Sequence, residues 1–240
     1  MTNASGALAP NRASSLFRST IGAKVLMAVT GGIWVGWLVL HMLGNLQVFA
    51  GRETFNAYAA LLKGMPGLLW GLRIVMLAAF VTHVALAVSL SNRNRDARPH
   101  AYVRKRESRT TPAGRFMLLS GLGTLAFIVY HLLHFTLGVT NPDHFQMVDA
   151  QGRHDAYGML VRGFQTPAIA AAYLVAMAAL SMHLSHAITS MLNTLGITTD
   201  AKPRLAMIGP VVTTILIVGN LVIVLGVWLN LQPDPGVISP

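Results

Sequence analysis

The chain has 240 residues, of which 53% are hydrophobic and only 11% are charged. An ordinary soluble domain has about 25% charged residues, so this chain has too few charges to cover a water-facing surface, and it is expected to be a membrane protein. It has no cysteine. This excludes disulfides, iron–sulfur ligation by this chain and haem attached through a C-x-x-C-H motif.

Five apolar segments are long enough to cross a hydrocarbon core, which needs about 20 residues. Backbone polar groups in lipid must be satisfied internally, and long apolar runs without alternation are typical of helices. We therefore predict an all-α membrane protein with five transmembrane helices in a bundle, forming one membrane domain over residues 1–240. The predicted helices are roughly 25–50, 67–90, 115–139, 166–191 and 207–231. The segment 140–165 is expected to hold a short surface helix.

The basic residues predict how the bundle is oriented. The net charge is +10, and 13 of the 18 Lys and Arg fall in the N-terminal tail, in 92–115 or in 192–206. Basic residues accumulate on the cytoplasmic side of membrane proteins. We therefore expect the N-terminus in the cytoplasm and the C-terminus outside. The eight basic residues of 92–115 are interpreted as a topology signal or a docking surface, and no nucleic-acid partner is expected.

Histidines are unusually frequent in the apolar segments. Six of the nine lie there, and the fifth segment has none. Ionisable groups inside a membrane are costly and usually functional, although a single histidine is as often a helix–helix hydrogen bond. The six are His41, His83, His131, His134, His183 and His186.

The depths of these histidines predict two layers. At 1.5 Å per residue, His41 and His131 lie about 24 and 23 Å from the cytoplasmic ends of their helices. His83 and His183 lie about 22 Å below the outer face. In a core about 30 Å thick, this makes an outer pair and an inner pair roughly 15 Å apart. Two bis-histidine haems need this arrangement, whereas histidines at opposite depths cannot share one zinc ion.

Two further points stay open at this stage. His134 and His186 each follow a proposed ligand by three residues, and spacing alone does not choose between ligand, haem-propionate partner, proton carrier and packing residue. Glycines precede two of the ligands, at Gly31, Gly32 and Gly36 and again at Gly121 and Gly123. They would let a macrocycle approach the backbone, or they would serve close helix packing.

Several motifs resemble one family of proteins. They are Val39-Leu40-His41-Met42, Phe55-Asn56, Val81-Thr82-His83, Gly121 ten residues before His131, and His183 thirteen residues before Gly196. In this order, over residues 15–231, the chain resembles the di-haem cytochrome b anchors of succinate:quinone and fumarate reductases of the five-helix bacterial type. The resemblance implies that His131 and His183, not His134 and His186, are ligands. It also implies the pairs His41–His131 for the outer haem and His83–His183 for the inner haem.

The same resemblance implies a function. The chain would be a multi-pass protein of the bacterial cytoplasmic membrane with two haem b groups. It would anchor a flavoprotein and an iron–sulfur subunit on the cytoplasmic side. Electrons would pass between the iron–sulfur subunit and a membrane quinone, typically menaquinone near the outer haem, while the dicarboxylate chemistry takes place in the partner flavoprotein. Higher oligomers of the complex are compatible with this expectation.

The quinone residues are the least determined part of the prediction. The candidates near the outer level are Trp37, Arg52, Glu53, His134 and His144. Two alternative functions remain: a di-haem anchor of another quinone-linked dehydrogenase, and a haem-free transporter or proton channel with a histidine relay. No internal repeat of the kind found in transporters is evident in the sequence, which argues against the transporter.

Overall fold

The computed structural model describes residues 19–97, 112–197 and 203–233, which form helices and no named strand. Seven helices longer than five residues follow one another in the chain. They are α1 (Thr20–Leu46), α2 (Arg52–Lys63), α3 (Pro66–Asp96), α4 (Met117–His131), α5 (Ala156–Gln165), α6 (Pro167–Thr194) and α7 (Ile208–Trp228). A 3-10 turn, Gln47–Ala50, extends α1, and a π turn, Leu132–Thr136, extends α4.

The prediction of five membrane-spanning helices is confirmed. Among the described residues, α1, α3, α4, α6 and α7 are long and apolar enough to cross a membrane. The third span ends three residues earlier than the predicted residue 139, because Gly138 turns the chain with a φ of +65°. The second span continues to Asp96, since its polar end, residues 91–96, stays helical. The chain is a multi-pass, all-α membrane protein.

Helix starts in this bundle have local causes. The Ser19 hydroxyl accepts a hydrogen bond from the Gly22 amide (2.8 Å) and caps α1. Pro66 and Pro167 open α3 and α6 at the first helical position, where proline is favoured because its missing N–H would have no partner anyway. Asp155 caps α5 by accepting from the Gly158 amide.

Helix α6 lies at the centre of the bundle and packs against α1, α4 and α7. Buried residues recur along it every three or four positions, as in Tyr173, Met177, Leu180 and Leu184, which is the pattern of a helix with one buried face. Helix α3 is peripheral and packs mainly on α1. Large apolar side chains on it are exposed, including Leu68, Trp70, Ile74, Leu77 and Val88. A surface of this kind suits lipid and is rare in water.

Two short amphipathic helices, α2 and α5, cover one end of the bundle. We call this the outer end, after the side to which the basic residues assign it. The predicted surface helix within 140–165 is confirmed as α5, together with a single turn at Pro142–Phe145. Helix α2 was not predicted, because its 12 residues are too few to span a membrane and the segment was interpreted as a loop between two spans. The basic residues of 98–111 and of the N-terminal tail up to residue 18, on which the orientation rests, lie outside the described residues, so the orientation stays a prediction.

A buried polar cluster joins α2 to α5. Asp155 accepts hydrogen bonds from Arg52, from the Asn56 amide group (2.8 Å) and from the Gly158 backbone. Asn56 is fully buried and accepts from the backbone N–H of Tyr157 at 2.9 Å. We call these residues, with Asp149, Arg153 and Glu53, the outer polar cluster. It fixes the cover of the outer end through charge-assisted hydrogen bonds.

Candidate functional site

The outer pair of histidines is formed at the outer ends of α1 and α4. His41 lies in the last two turns of α1, and His131 is the last α-helical residue of α4. Their ring centres are 5.6 Å apart and the ring planes are nearly perpendicular, at 88°. The structure therefore brings together the two residues that the sequence assigned to one layer.

The inner pair is formed between α3 and α6. The ring centres of His83 and His183 are 6.5 Å apart, with an interplanar angle of 69°. A Cβ built on Gly31 would lie 3.4 Å from Cε1 of His83, and a Cβ on Gly121 would lie 3.3 Å from Cε1 of His183. Each imidazole thus rests directly on the backbone of a neighbouring helix.

The two glycines also measure the distance between the layers. Gly31 is ten residues before His41 on α1, and Gly121 is ten residues before His131 on α4. Ten helical residues rise about 15 Å. Both helices therefore give the same separation between the inner and the outer pair, and it agrees with the value predicted from the spans.

This agreement reflects an internal repeat in the sequence, which the search for a transporter-type repeat had not found. Helix α1 and helix α4 share a pattern at a constant offset of 90 residues. The matched positions are Met27 and Met117, Thr30 and Ser120, Gly31 and Gly121, and His41 and His131. The hydroxyls of Thr30 and Ser120 donate to the carbonyls of Met27 (3.0 Å) and Met117 (3.2 Å). The match therefore extends from sequence to hydrogen bonding.

The helices that follow continue the correspondence. Pro66 opens α3 17 residues before His83, and Pro167 opens α6 16 residues before His183. Since α1 and α4 run in the same direction, the repeat is parallel, as for halves related by an axis along the membrane normal. Each histidine pair takes one member from each half. Helix α7 has no counterpart in this correspondence.

The surroundings of the outer pair are aromatic and hydrogen-bonded. The hydroxyl of Tyr173 lies 3.2 Å from Nδ1 of His131 and 3.1 Å from Nδ1 of His134. His134 is 1% exposed and stacks on Phe135, with ring centres 4.0 Å apart. Its Nε2 is buried and has no hydrogen-bond partner among the described residues. A Cβ on Gly163 of α5 would lie 3.2 Å from the His134 ring, so α5 lies directly over it.

The polar groups near the inner pair are a threonine hydroxyl and two backbone carbonyls. The Thr30 hydroxyl contacts Nδ1 of His83 at 3.2 Å. The Met27 and Met117 carbonyls face His83 and His183 respectively, although Nδ1 of His183 makes no contact within ordinary hydrogen-bond geometry in the described part of the chain.

Four of the five quinone candidates separate into two groups. Trp37 stacks on His41, with ring centres 5.9 Å apart and planes at 19°, and His134 lies beside the outer pair. Arg52 and Glu53 belong to the outer polar cluster, where Arg52 pairs with Asp155 and Glu53 accepts two hydrogen bonds from Arg153 (2.7 and 3.0 Å). Their contacts point to a structural role.

His144, the fifth candidate, lies in the outer cover. Its Nδ1 is buried without a hydrogen-bond partner in the described residues. Burial and, next, the Arg162 charge lower the pKa of His144, while Asp143 opposes this. His144 is therefore neutral at pH 7 and offers a polar nitrogen inside the cover.

Sequence reasoning missed Tyr173 and Thr30. A tyrosine in an apolar helix carries no distinct pattern, and its partners are 42 and 39 residues away in the chain. Thr30 had a usable signal, since the repeat with Ser120 marks it beside a glycine that contacts a histidine. Comparing α1 with α4 would have found it.

The two pairs fit the axial positions of two haems. Metal–imidazole bonds are about 2.0–2.1 Å long, so two imidazoles on opposite sides of one metal ion have ring centres roughly 6–6.5 Å apart. The inner pair has this spacing, and the outer pair is within about 1 Å of it. No group of three or more His, Cys, Asp or Glu that could hold a metal ion occurs among the described residues. The donor sets are pairs of imidazoles, which is the number that a bis-histidine haem takes from its protein.

Comparison of the chain with protein-family models, with curated proteins and with solved structures found no match.

Proposed function

We propose that the chain is a di-haem b-type cytochrome that transfers electrons across its membrane. His41 and His131 would ligate the outer haem, and His83 and His183 the inner haem. The single observation that supports this most is the repeat. Two half-sites, each with one outer and one inner histidine, meet as two imidazole pairs at two depths, 5.6 and 6.5 Å between ring centres.

The chain's own groups have definable roles in this proposal. A bound haem supplies one-electron redox chemistry. The imidazoles of the two pairs would hold it and would help to set its potential. Gly31 and Gly121 let the inner imidazoles lie against backbone, and the hydroxyls of Tyr173 and Thr30 contact Nδ1 of His131 and Nδ1 of His83. Such contacts orient ligands and tune the metal.

The finer proposal is that this cytochrome is the membrane anchor of a succinate:quinone oxidoreductase or fumarate reductase in a bacterial cytoplasmic membrane. The sequence motifs at His41, His83, His131 and His183 support it. A flavoprotein and an iron–sulfur subunit would dock at the inner end, and electrons would pass through both haems to or from a quinone, menaquinone in the first instance. Succinate would be oxidised in the flavoprotein. Among the quinone candidates, Trp37, His134 and His144 are favoured over Arg52 and Glu53.

One experiment separates this proposal from its alternatives. The chain, tagged and expressed in its own host, is purified with its partners in mild detergent. The expected result is co-purification of a flavoprotein and an iron–sulfur subunit, haem in the membrane subunit and succinate:quinone reductase activity. Co-purification of a haem-containing chain with a hydrogenase, formate dehydrogenase or nitrate reductase would support the di-haem cytochrome. It would contradict the assignment to a succinate:quinone or fumarate reductase. A colourless chain without soluble partners would contradict the proposal and favour a histidine-relay transporter.

A further inference from the structure

The Tyr173 hydroxyl has a fixed position between two imidazoles. It contacts Nδ1 of His131 at 3.2 Å and Nδ1 of His134 at 3.1 Å. Tyr173 is only 4% exposed. Aromatic rings surround it, with centres 5.0 to 5.9 Å away: Phe164, Phe127, Phe135 and Tyr130. The hydroxyl therefore has no freedom to turn to water.

Counting protons leaves two arrangements for this contact. A phenol has one proton to donate, and a neutral imidazole has a proton on one ring nitrogen only. If both contacts are hydrogen bonds, the hydroxyl donates to one Nδ1 and accepts from the other. Either His131 donates and His134 accepts, or the reverse.

Iron ligation selects one of the two. A ligand nitrogen needs a free lone pair, so His131 can bind a metal through Nε2 only if its proton is on Nδ1. His131 then donates to Tyr173, and Tyr173 donates to Nδ1 of His134. The proton of His134 is consequently on Nε2, the buried nitrogen beside Gly163 that has no partner in the described residues.

From this chain of hydrogen bonds we infer that Tyr173 is a positioning residue for the outer haem. Its hydroxyl holds His131 in the tautomer that leaves Nε2 free to bind iron, and it makes the imidazole a stronger electron donor by accepting a hydrogen bond from Nδ1–H. His134 is the acceptor that orients the hydroxyl, not a ligand. The inference rests on the proposed di-haem function.

The inner pair differs in a way that makes the inference specific. There the Thr30 hydroxyl takes the place of the phenol. It lies 3.0 Å from the Leu26 and Met27 carbonyls, to which it donates, and 3.2 Å from Nδ1 of His83. It can accept a hydrogen bond from the Nδ1–H of His83, with no second imidazole behind it. Tyr173 therefore tunes the outer haem and leaves the inner haem unaffected.

The test is a redox titration of the purified complex, followed by visible spectroscopy, for the wild type, Tyr173→Phe and Tyr130→Phe. Tyr130→Phe is the matched control, since it removes a neighbouring hydroxyl that contacts neither histidine in the hydrogen bonds found. The outer haem is identified as the transition missing from His131→Ala. Losing the acceptor should stabilise the reduced iron, so Tyr173→Phe should raise the outer midpoint potential. The reduced-to-oxidised ratio at a fixed potential should rise on the order of two- to tenfold, the equivalent of one hydrogen bond.

Two haems with an unchanged outer potential in Tyr173→Phe would overturn the inference, as would an equal shift in both haems or in Tyr130→Phe. If Tyr173→Phe does not assemble, the same titration of His134→Leu tests the inference. This variant should keep both haems and raise the outer midpoint potential by less than the shift expected for Tyr173→Phe. An unchanged outer potential would overturn the inference. Thr30→Val should shift the inner potential alone. A wild-type complex without haem would instead refute the proposed function.

Discussion

The outer and inner histidine pairs come from the same repeat but lie in different surroundings. The inner pair rests on two glycines and a threonine, close to backbone. The outer pair adjoins Tyr173, a second histidine and a cluster of aromatic rings, beneath a cover held by ion pairs. The repeat thus supplies the paired histidines at both levels, and the residues that depart from it make the two sites different.

The residues that differ between the two halves of the repeat lie at equivalent positions. His134 corresponds to Gly44 in the first half, and Phe127 to Trp37. Gly44 is buried against Tyr58 of α2, with a built Cβ 3.0 Å from the hydroxyl of that tyrosine. An imidazole at Gly44 would clash with α2, whereas Gly163 of α5 leaves room for His134. The second outer histidine is therefore possible in only one half.

The largest effect should come from removing a ligand. His41→Ala and His131→Ala should each remove the outer haem and keep the inner haem. His83→Ala and His183→Ala should do the converse, because one remaining imidazole leaves an axial position without its protein ligand. Haem content by pyridine haemochrome checks this.

The controls for ligand removal are His134→Ala and His186→Ala, which should retain both haems. Loss of the outer haem in His134→Ala with full retention in His131→Ala would reverse the assignment of the ligands and refute the pairing of His41 with His131.

The next largest effect concerns the glycine contacts. Gly121→Val should displace His183, since even a Cβ would already lie 3.3 Å from Cε1 of that ring. We expect loss of the inner haem and retention of the outer one. Gly71→Val is the control, because a Cβ at Gly71 meets nothing within 4 Å. Equal haem loss in both variants would show that the glycine contact is not what holds the inner ring.

The cover of the outer end should depend on Asp155. Its side chain is 1% exposed and accepts from Arg52, Asn56 and Gly158. Asp155→Ala leaves these donors without their acceptor and should cost roughly 3–5 kcal/mol of stability. Thermal release of the outer haem, followed by its absorbance, should occur at a clearly lower temperature than in the wild type.

Glu53→Gln provides the contrast within the same cluster. The Glu53 side chain is 66% exposed, and exposed ion pairs contribute little. Its effect on the release temperature should be much smaller. Equal effects of the two variants would show that burial does not decide which ion pairs hold the cover.

A smaller effect is expected from acidification. Burial, then nearby cations, lower the pKa of His144 and His154 below 6.5. The unfolded chain therefore binds protons more readily than the folded chain as the pH falls below 6.5, and the stability of the cover decreases. Burial would raise the pKa of Asp149, but hydrogen bonds from Arg153 and Gln151 outweigh it and hold the pKa below 3.8. This contribution is complete above pH 3.8 and is lost as the pH falls through the lowered value.

The measurement is the release temperature of the outer haem between pH 7.5 and pH 5. It should decrease on acidification, and the double variant His144→Gln/His154→Gln should flatten this part of the profile. A flat profile in the wild type would exclude these histidines as the cause.

The sequence predicted the bundle well because length and apolarity determine membrane spans almost by themselves. It also predicted which histidines face one another, since depth along a helix follows from residue number. It did not predict α2, whose burial of Phe55 and Asn56 depends on α5 and Asp155, about a hundred residues away. Nor did it separate Arg52 and Glu53 from the other quinone candidates, because ion pairing across such distances leaves no local pattern.

The pairing of the histidines is tested most directly by haem counts in double variants. Pyridine haemochrome analysis is applied to the wild type, to His41→Ala/His131→Ala and to His41→Ala/His83→Ala. Two haems per chain are expected in the wild type, one in the variant that removes both members of a pair, and none in the variant that removes one member from each pair. A wild type without haem, or equal haem content in the two double variants, would contradict the account.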